Sequence, residues 1–216
     1  MIKKHHFLIA FLPAIVLTGY LLMHILEQNY QEALVTQKAY TGQKNLDLVP
    51  IFPGDPLIGD VRANVTIIAF EDVGCMNCRQ QNEFFNQLLE KYPNVFKIIW
   101  KGLAVTKYPY SSEKANEYLY CAHNQGKFER FKDMAFANNE NLSTLVLDTL
   151  VESAGLDKEK LTACLAQGEG KAKLDEVEKL AREVNIQSVP TLFVNNRQLT
   201  LPNTLEAWEE FFELNP

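Results

Sequence analysis

The apolar residues beyond position 55 switch between the continuous runs of buried strands and the spacing of amphipathic helices. The apolar, β-branched run "NVTIIAF", Asn64 to Phe70, predicts a buried strand. In the next stretch, "RQQNEFFNQLLEKY", phenylalanines and leucines recur at helical spacing. A second strand is predicted at "VFKIIW", Val95 to Trp100. Strand, helix and strand form a right-handed crossover unit, which begins a parallel sheet with helices on its faces.

Most residues between 111 and 184 are predicted to be helical. The predicted helices run from Ser111 or Ser112 to Asn124, from Ser143 to Ala154, from Asp157 to Ala166 and from about Lys171 to Val184, with another apolar stripe at Phe128, Phe131 and Ala135. Two short strands follow, Thr191–Val194 and Arg197–Leu201, joined by a tight turn at Asn195-Asn196. Asn203 is predicted to cap a last helix. This order indicates an α/β fold, a thioredoxin-like sheet with an inserted helical domain.

The first 26 residues are more apolar than the rest of the chain. Lys3 and Lys4 precede the apolar run from Phe7 to Leu26, and a helix of that length reaches roughly 30 Å, the thickness of a bilayer's hydrocarbon core. Because basic residues stay on the cytoplasmic side, the rest of the chain is expected outside the cytoplasm. Residues 1–26 are interpreted as an uncleaved signal anchor because no small-residue cleavage site follows. A cleaved signal peptide and a buried core helix are the alternatives.

Composition places the rest of the chain among globular domains. The 216 residues are 47% hydrophobic and 22% charged, which is enough apolar material for a buried core. The formal net charge is -6 and the basic residues are scattered, so nucleic acid is not an expected partner. Residues 27–54 are polar and end in a proline-rich stretch typical of a tether, and residues 55–216 hold the predicted domain.

Two of the four cysteines stand where the first strand turns into the first helix. Cys75 and Cys78, in "GCMNCRQQ", are separated only by Met76 and Asn77. The first N–H groups of a helix have no partner within it and the helix dipole is positive there, so a thiolate at Cys75 is favoured. Cys78 lies one turn later on the same side, close enough for a small disulfide loop. The pair predicts a redox centre in which Cys75 exchanges with substrate and Cys78 resolves the mixed disulfide.

Metal binding is the other interpretation of this pair. As a zinc site it supplies only half of a tetrahedral ligand set, and no second Cys-x-x-Cys or nearby His pair completes it. Cys121 and His123 are close in sequence, but two residues apart on a helix they point in different directions. A copper site with Met76 as a soft ligand is the remaining alternative. For a catalytic dithiol, no metal or other cofactor is expected.

Three segments in a fixed order resemble the DsbA family of bacterial thiol:disulfide oxidoreductases. They are "NVTIIAFEDVGCMNC", "YCAHNQGKFERFKDMAF" and "LAREVNIQSVPTLFVNN", and the resemblance runs from about Leu57 to the C-terminus. It implies a thioredoxin-like fold with a helical insertion at about residues 108–170. It also implies that Pro190 is a cis-proline opposite the active site and that Val189 offers backbone hydrogen bonds to an extended substrate segment.

The chain departs from this family's pattern at two places near the cysteines. Family members often carry histidine or tyrosine just before the second cysteine, where this chain has Asn77. An amide can donate a hydrogen bond to the Cys75 thiolate but brings no positive charge, so the disulfide should be a weaker oxidant. A buried acid commonly lies six residues before the first cysteine, where this chain has Ala69. Glu71 and Asp72 are near, and Asp72 is predicted to cap the helix.

The other two cysteines, Cys121 and Cys164, fall on separate predicted helices of the insertion. In an oxidising compartment they could form a structural disulfide, as similar pairs do in some members of the family. Two unpaired buried thiols are the alternative. Neither cysteine has the helix-start context expected of a second redox pair.

Together these features predict an extracytoplasmic enzyme that introduces disulfide bonds into secreted or envelope proteins. The expected location is the bacterial cytoplasmic membrane, with a single-pass anchor at residues 7–26 and a periplasmic catalytic domain. The expected partners are cysteine-containing client polypeptides and a membrane redox partner, for which the resemblance implies a quinone-linked reoxidase. We expect a monomer. A reductase or isomerase of protein disulfides, or a copper-handling dithiol protein, is the alternative function.

Overall fold

The computed structural model describes residues 18–26, 49–200, 202 and 204–214. The chain divides into two compact units, Met1–Leu46 and Asp47–Pro216. In the first unit, residues 18–26 are helical and exposed. None of the helices in the described ranges has the length and apolar character needed to cross a bilayer. Residues 7–17 of the predicted membrane span and residues 27–48 of the predicted tether lie outside the described residues.

A five-stranded mixed sheet forms the centre of the second unit. The strands are β1 (Leu57–Gly59), β2 (Val65–Glu71), β3 (Phe96–Gly102), β4 (Thr191–Val194) and β5 (Arg197–Leu199), in the spatial order β1-β3-β2-β4-β5. β2 and β3 are parallel, whereas β1, β4 and β5 run antiparallel to the strands they join. The parallel pair confirms the predicted crossover unit. β1 has no counterpart in the sequence prediction because three residues are too few to establish a period.

Seven helices follow in the described part of this unit. They are α1 (Met76–Lys91), α2 (Glu113–His123), α3 (Phe128–Ala137), α4 (Thr144–Ala154), α5 (Lys158–Ala166), α6 (Glu169–Glu183) and α7 (Leu205–Phe211). Helices α2 to α5 lie within the predicted insertion of residues 108–170, and α6 begins at its end. The side chain of Asp157 caps α5 by accepting hydrogen bonds from two backbone N–H groups of its first turn. The thioredoxin-like α/β fold with a helical insertion is confirmed.

The hairpin between β4 and β5 turns at the predicted dipeptide. Asn195 and Asn196 both have positive φ, 44° and 71°, the backbone conformation that tight hairpin turns require and that asparagine tolerates. β5 ends at Leu199, two residues before the predicted end at Leu201, which lies outside the described residues.

The last helix is capped one residue later than predicted. Thr204 is the N-cap, and its hydroxyl accepts a hydrogen bond from the Ala207 N–H at 3.1 Å. The predicted cap, Asn203, lies outside the described residues. Trp208 of this helix is fully buried, with its ring 6.0 Å from that of Phe85 on α1. The contact packs α7 against the helix that carries the cysteines.

The insertion packs directly on the central strands. Trp100 of β3 is fully buried, and its ring centroid lies 5.3 Å from that of Tyr120 on α2 and 5.1 Å from that of Phe128 on α3. Aromatic pairs at these separations add attraction beyond the area that they bury. The Tyr120 hydroxyl also accepts a hydrogen bond from the Gly102 N–H at 3.0 Å. These contacts join α2 and α3 to β3 near its C-terminal end, which lies on the same side of the sheet as the cysteines.

Candidate active site

Cys75 is the N-cap of α1, and Cys78 lies in its first turn. The Cys75 backbone is extended (φ −91°, ψ 125°), and its carbonyl accepts the N–H of Arg79 at 3.0 Å, the first bond of the helix. The Cys75 side chain is partly exposed, whereas Cys78 is fully buried. Both thiols are free. The predicted position of the pair is confirmed, and only Cys75 can be approached from solvent.

Burial and hydrogen bonding give the two thiols opposite acidities. The hydrogen bond from the Cys78 thiol, joined by the backbone N–H groups of Cys78 and Asn77, lowers the pKa of Cys75 to about 6, although partial burial opposes the shift. Burial raises the pKa of Cys78, and its hydrogen bond to Cys75 and the charge of Glu71 raise it further. At neutral pH Cys75 is therefore a thiolate and Cys78 a neutral thiol. Asn77 contributes through its backbone, and its side-chain amide is not among the described contacts of Cys75.

The loop before β4 lies against the Cys75 sulfur. The Val189-Pro190 peptide bond is cis, as the sequence resemblance implies. The Cys75 thiol group lies 3.7 Å from the carbonyl oxygen of Val189. The Thr191 hydroxyl donates a hydrogen bond to the carbonyl of Ser188 at 2.7 Å, which closes the loop on itself. Val189 and Pro190 are partly exposed, so backbone groups of this loop stand beside the accessible sulfur.

Asp72 does not cap α1, and that prediction is wrong. The residue is fully buried, and its carboxylate accepts five hydrogen bonds. The donors are the N–H groups of Gly74, Val105 and Thr106, the Ser112 hydroxyl and the Asn116 amide, at 2.7 to 3.0 Å. The loop that leads into the insertion supplies three of these donors and α2 supplies a fourth, whereas the first turn of α1 has no side-chain cap. Its free N–H groups are thereby available to the Cys75 sulfur.

The same loop packs tightly against the turn that holds Cys75. A Cβ atom built on Gly74 would lie 2.7 Å from the Cβ of Thr106, closer than two carbon atoms can approach. Only glycine fits at this position without displacing the loop. The position of the turn that carries Cys75 is therefore fixed by contacts with residues 104–112 as well as by α1.

A buried acid lies near both sulfurs. Glu71, the last residue of β2, is 1% exposed, and its Oε1 has no hydrogen-bond partner among the described residues. Burial raises the pKa of Glu71 to about 8 against the opposing charge of Lys132, and the charge of Cys75 adds to the rise. The family pattern places a buried acid at Ala69. Because side chains two residues apart share a strand face, Glu71 projects on the same face as Ala69, closer to the cysteines. This period of two is the signal that could have located it.

The lysine that opposes the rise in the Glu71 pKa comes from the insertion. Lys132 on α3 is 2% exposed, and its Nζ donates a hydrogen bond to the Asn82 side-chain oxygen at 2.5 Å. Asn82 lies one turn beyond Cys78 on α1, and its amide donates to the Asp133 carboxylate at 3.1 Å. These bonds connect α1 with α3 and keep a positive charge close to the buried acid.

A pocket of about 310 Å³ opens between α1 and the cis-proline loop. Its lining residues are Asn77, Gln80, Gln81, Phe84, Ser188, Val189, Pro190 and Pro202. The pocket therefore includes residues from both sides of the Cys75 sulfur. A polypeptide segment lying along Val189 would pass over this pocket.

The remaining cysteines form a disulfide in the insertion. Cys121 on α2 and Cys164 on α5 are bonded, with their Cα atoms 5.9 Å apart, and they lie 43 positions apart in sequence. Both residues are buried. The bond joins two helices that are separated by two others in the chain.

The metal-binding alternative concerns the first turn of α1. Met76 is 58% exposed there. Across the ranges that the structure describes, no group of three or more His, Cys, Asp or Glu side chains is arranged to hold a metal ion.

Comparison with protein families and curated proteins gives one family match and two relatives. A family model described as Thioredoxin matches residues 52–213. The Na(+)/H(+) antiporter NhaA 3 of Salinispora tropica is 29% identical over 162 residues, which are 74% of this chain and 24% of the antiporter. For the antiporter NhaA 1 of Salinispora arenicola the identity is 29% over 153 residues, with 70% and 23% covered. The chain thus spans about a quarter of the length of these relatives.

Solved structures share the fold at low identity. The catalytic domain of ScsC from Proteus mirabilis has a TM-score of 0.68 and 19% identity, covering 82% of this chain and 96% of its own. The thiol-disulfide exchange protein alpha-DsbA2 from Wolbachia pipientis has a TM-score of 0.67 and 16% identity, with 85% and 97% covered. Oxidised BdbD from Bacillus subtilis has a TM-score of 0.64 and 20% identity, with 74% and 91% covered. At these identities the likeness concerns the fold.

Proposed function

The chain belongs to the thioredoxin family, and we propose that it introduces disulfide bonds into secreted or envelope proteins through Cys75 and Cys78. Its fold is that of the DsbA-like thiol:disulfide oxidoreductases, as the resemblance seen in the sequence implies, and this likeness supports the enzyme class. The direction of the reaction, the clients and the location of the enzyme belong to the proposal.

The observation that carries the proposal is the acidity of Cys75. Its pKa of about 6 makes the thiolate stable at neutral pH, and its sulfur is the accessible one of the pair. A thiol of low pKa is a good leaving group, and stabilising the reduced form of the enzyme makes the oxidised form a stronger oxidant. Both effects favour transfer of the disulfide to a client.

The reaction proceeds through a mixed disulfide. A client thiolate attacks the Cys75 sulfur of the Cys75–Cys78 disulfide, a bond forms between client and Cys75, and Cys78 leaves as a thiolate that takes up a proton. The client's second thiolate then attacks the client sulfur of the mixed disulfide, and Cys75 leaves as its stable thiolate. The client loses two electrons and gains a disulfide, and the enzyme is left as the Cys75–Cys78 dithiol.

Glu71 serves as the proton reservoir for Cys78 in this scheme. Its pKa of about 8 leaves it mostly protonated at neutral pH, and its charge affects the pKa of Cys78. A neutral carboxylic acid can give its proton to the departing Cys78 thiolate, which is deeply buried and unstable as an anion. Lys132 stabilises the carboxylate left behind.

The cis-proline loop holds the client. The Val189 carbonyl already faces the Cys75 sulfur at 3.7 Å, so a client chain extended along Val189 and Pro190 would place its own sulfur next to Cys75. Backbone hydrogen bonds of this kind accept many client sequences because they do not depend on side chains.

The proposed location rests on the N-terminal sequence, and the proposed redox partner rests on the resemblance to the DsbA family. An anchor at residues 7–26 would hold the catalytic domain at the outer face of the cytoplasmic membrane, where disulfides persist. A quinone-linked membrane enzyme would reoxidise the Cys75–Cys78 pair after each turnover. The catalytic unit would act as a monomer.

A reductase or isomerase of protein disulfides is the second candidate. The observation that favours it is Asn77, which stands where a histidine would add positive charge beside the Cys75 thiolate. With less stabilisation of the thiolate, the Cys75–Cys78 pair has a more reducing potential, so its disulfide is a weaker oxidant.

The equilibrium redox potential of the Cys75–Cys78 pair tests the proposal. The full chain is equilibrated in glutathione buffers, and the Cys121–Cys164 disulfide is followed separately by mass. A potential of about −120 mV supports an oxidase, whereas one of about −270 mV, the value of thioredoxin, would overturn the proposal in favour of reduction. Copper titration of the reduced chain and of Cys78→Ser tests the metal-handling alternative, because loss of one sulfur removes a dithiol site.

A further inference from the structure

The active-site pocket is lined by a residue whose side-chain amide nitrogen has no hydrogen-bond partner among the described residues. Gln81 on α1 is 3% exposed and lines the pocket beside Val189 and Pro190. Its side-chain Nε2 has no hydrogen-bond acceptor among the described residues. Buried polar groups in proteins almost always have partners, so an isolated buried amide beside a binding pocket points to a ligand that supplies one.

The rest of the lining has the same uncharged polar character. Asn77, Gln80 and Gln81 bring three carboxamides from one face of α1, and Ser188 adds a hydroxyl from the opposite side. The lining contains no Asp, Glu, Lys or Arg. Phe84, Pro190 and Pro202 supply the apolar walls. Carboxamides both donate and accept hydrogen bonds, which suits neutral amides and hydroxyls, whereas a buried charge here would have no counter-ion.

We propose that this pocket is a specificity subsite for an uncharged polar side chain of the client, of the glutamine, asparagine or serine type, next to the client cysteine. This inference rests on the proposed function, because the ligand is part of the client that reacts with Cys75. The Gln81 amide turns about its terminal torsion, which is broad for a carboxamide, and donates to the side-chain oxygen of the client.

A pocket with an otherwise unpaired donor selects among clients mainly by disfavouring those that leave the donor without a partner. A client with an apolar side chain in the pocket leaves the Gln81 amide buried without a partner, and a charged side chain loses its hydration without gaining an opposite charge. A glutamine-containing client satisfies the amide. A site built around a buried hydrogen-bonding group therefore disfavours ligands that lack the matching group.

The experiment measures disulfide exchange with a matched peptide series. Each peptide contains one cysteine with glutamine, leucine, glutamate or lysine at the positions beside it, and the second-order rate of attack on oxidised full-length protein is followed for the native chain and for Gln81→Leu. The expected result is a preference of about tenfold for glutamine over leucine in the native chain, lost or reversed in Gln81→Leu.

The control variant is Gln87→Leu. Gln87 lies on the same helix and is exposed, so this change alters the helix composition without reaching the pocket and should keep the native preference. The rate with a small thiol that has no side chain for the pocket, such as mercaptoethanol, should be equal in the native chain and in Gln87→Leu, and each protein's peptide rates are divided by its own mercaptoethanol rate. This rate reports the chemistry of Cys75 alone.

The outcomes separate this inference from the proposed function. Exchange with all peptides at equal rates, or an unchanged preference in Gln81→Leu, would overturn the subsite and leave the enzyme class intact. Absence of exchange with peptides and with mercaptoethanol would overturn the proposed function and the subsite together. A preference for the leucine peptide in the native chain would show an apolar subsite and also exclude the inference.

Discussion

The Cys75 sulfur lies 3.7 Å from the carbonyl oxygen of Val189, a residue 114 positions later in the chain. The start of α1 and the cis-proline loop are thus held face to face by the fold, although they belong to opposite ends of the domain. In the proposed reaction a client enters between them, so the reactivity of Cys75 would report on this geometry as well as on its own hydrogen bonds.

The pH dependence of Cys75 alkylation should have its midpoint at about pH 6, well below that of an ordinary thiol. The thiolate is the reacting form, so the rate with iodoacetamide rises with its population. The lowered pKa also means that the reduced folded chain gains stability as pH rises from about 6 to the ordinary value of 9.0. Stopped-flow alkylation of the reduced protein checks the first statement, and a midpoint above pH 8 would contradict it.

The hydrogen bond from Cys78 should account for much of this acidity. Cys78→Ser keeps a donor beside the Cys75 sulfur and should leave its pKa close to about 6, whereas Cys78→Ala removes the donor. We expect the pKa of Cys75 to rise by about one pH unit in the alanine variant. Thiolate absorbance in the ultraviolet, measured in pH titrations of both variants, makes the comparison. Equal values in the two variants would assign the acidity to the backbone N–H groups instead.

Replacing Glu71 should stabilise the protein in a defined pH window. The pKa of Glu71 rises from 4.5 to about 8 on folding, so the unfolded chain releases this proton at a lower pH than the folded chain. Stability therefore falls as pH rises between these values, and Glu71→Gln should remove that loss, which is on the order of 5 kcal/mol as an upper figure. Urea unfolding across the window measures the difference.

The control for Glu71 is Glu90→Gln, an exposed position on α1. Its stability profile should parallel that of the native chain. Formation of the mixed disulfide should slow in Glu71→Gln, because the amide has no acidic proton to give to the departing Cys78 thiolate. Parallel unfolding profiles for the native chain and Glu71→Gln would mean that the acid is already ionised in the folded state.

Asp72→Asn should destabilise the domain by about 2–4 kcal/mol, because an amide nitrogen would face backbone donors that now point at a carboxylate oxygen. Oδ2 accepts three of the five hydrogen bonds and Oδ1 accepts the other two, so either orientation of the amide turns its NH2 group toward donors. Urea unfolding provides the measurement. Asp148→Asn, an exposed position on α4, is the matched control and should be close to neutral.

The Cys121–Cys164 disulfide should contribute to stability and not to redox chemistry. It closes a loop of 43 positions, so its removal in a Cys121→Ala, Cys164→Ala double variant should cost up to about 4 kcal/mol. The potential of the Cys75–Cys78 pair should stay within a few millivolts of the native value. A clear change in that potential would indicate that the insertion disulfide communicates with the active site.

The sequence was sufficient for the features that depend on local pattern. The apolar run before Cys75 and the helical spacing after it placed the pair at the start of α1, and Asn195-Asn196 marked the hairpin. The cis peptide at Pro190 came from the family resemblance, because the residues alone do not distinguish a cis from a trans proline.

The roles of Glu71 and Asp72 could not be predicted in the same way. The two residues are neighbours in sequence, yet one carboxyl oxygen of Glu71 lacks a hydrogen-bond partner whereas Asp72 accepts five hydrogen bonds. Most of those donors come from residues more than thirty positions later, brought there by a loop of irregular backbone. Periodicity carries no information about such a loop, so a local rule, helix capping, gave the wrong assignment for Asp72.

The five bonds to Asp72 also bear on how the protein can be shortened. Four of the five donors, Val105, Thr106, Ser112 and Asn116, lie between β3 and α6. An engineered chain that joins β3 directly to α6 would delete them and leave a buried negative charge short of partners within three residues of the reactive sulfur. A minimal version of this enzyme without the insertion would therefore need a neutral residue at position 72 before its cysteines could be held in place.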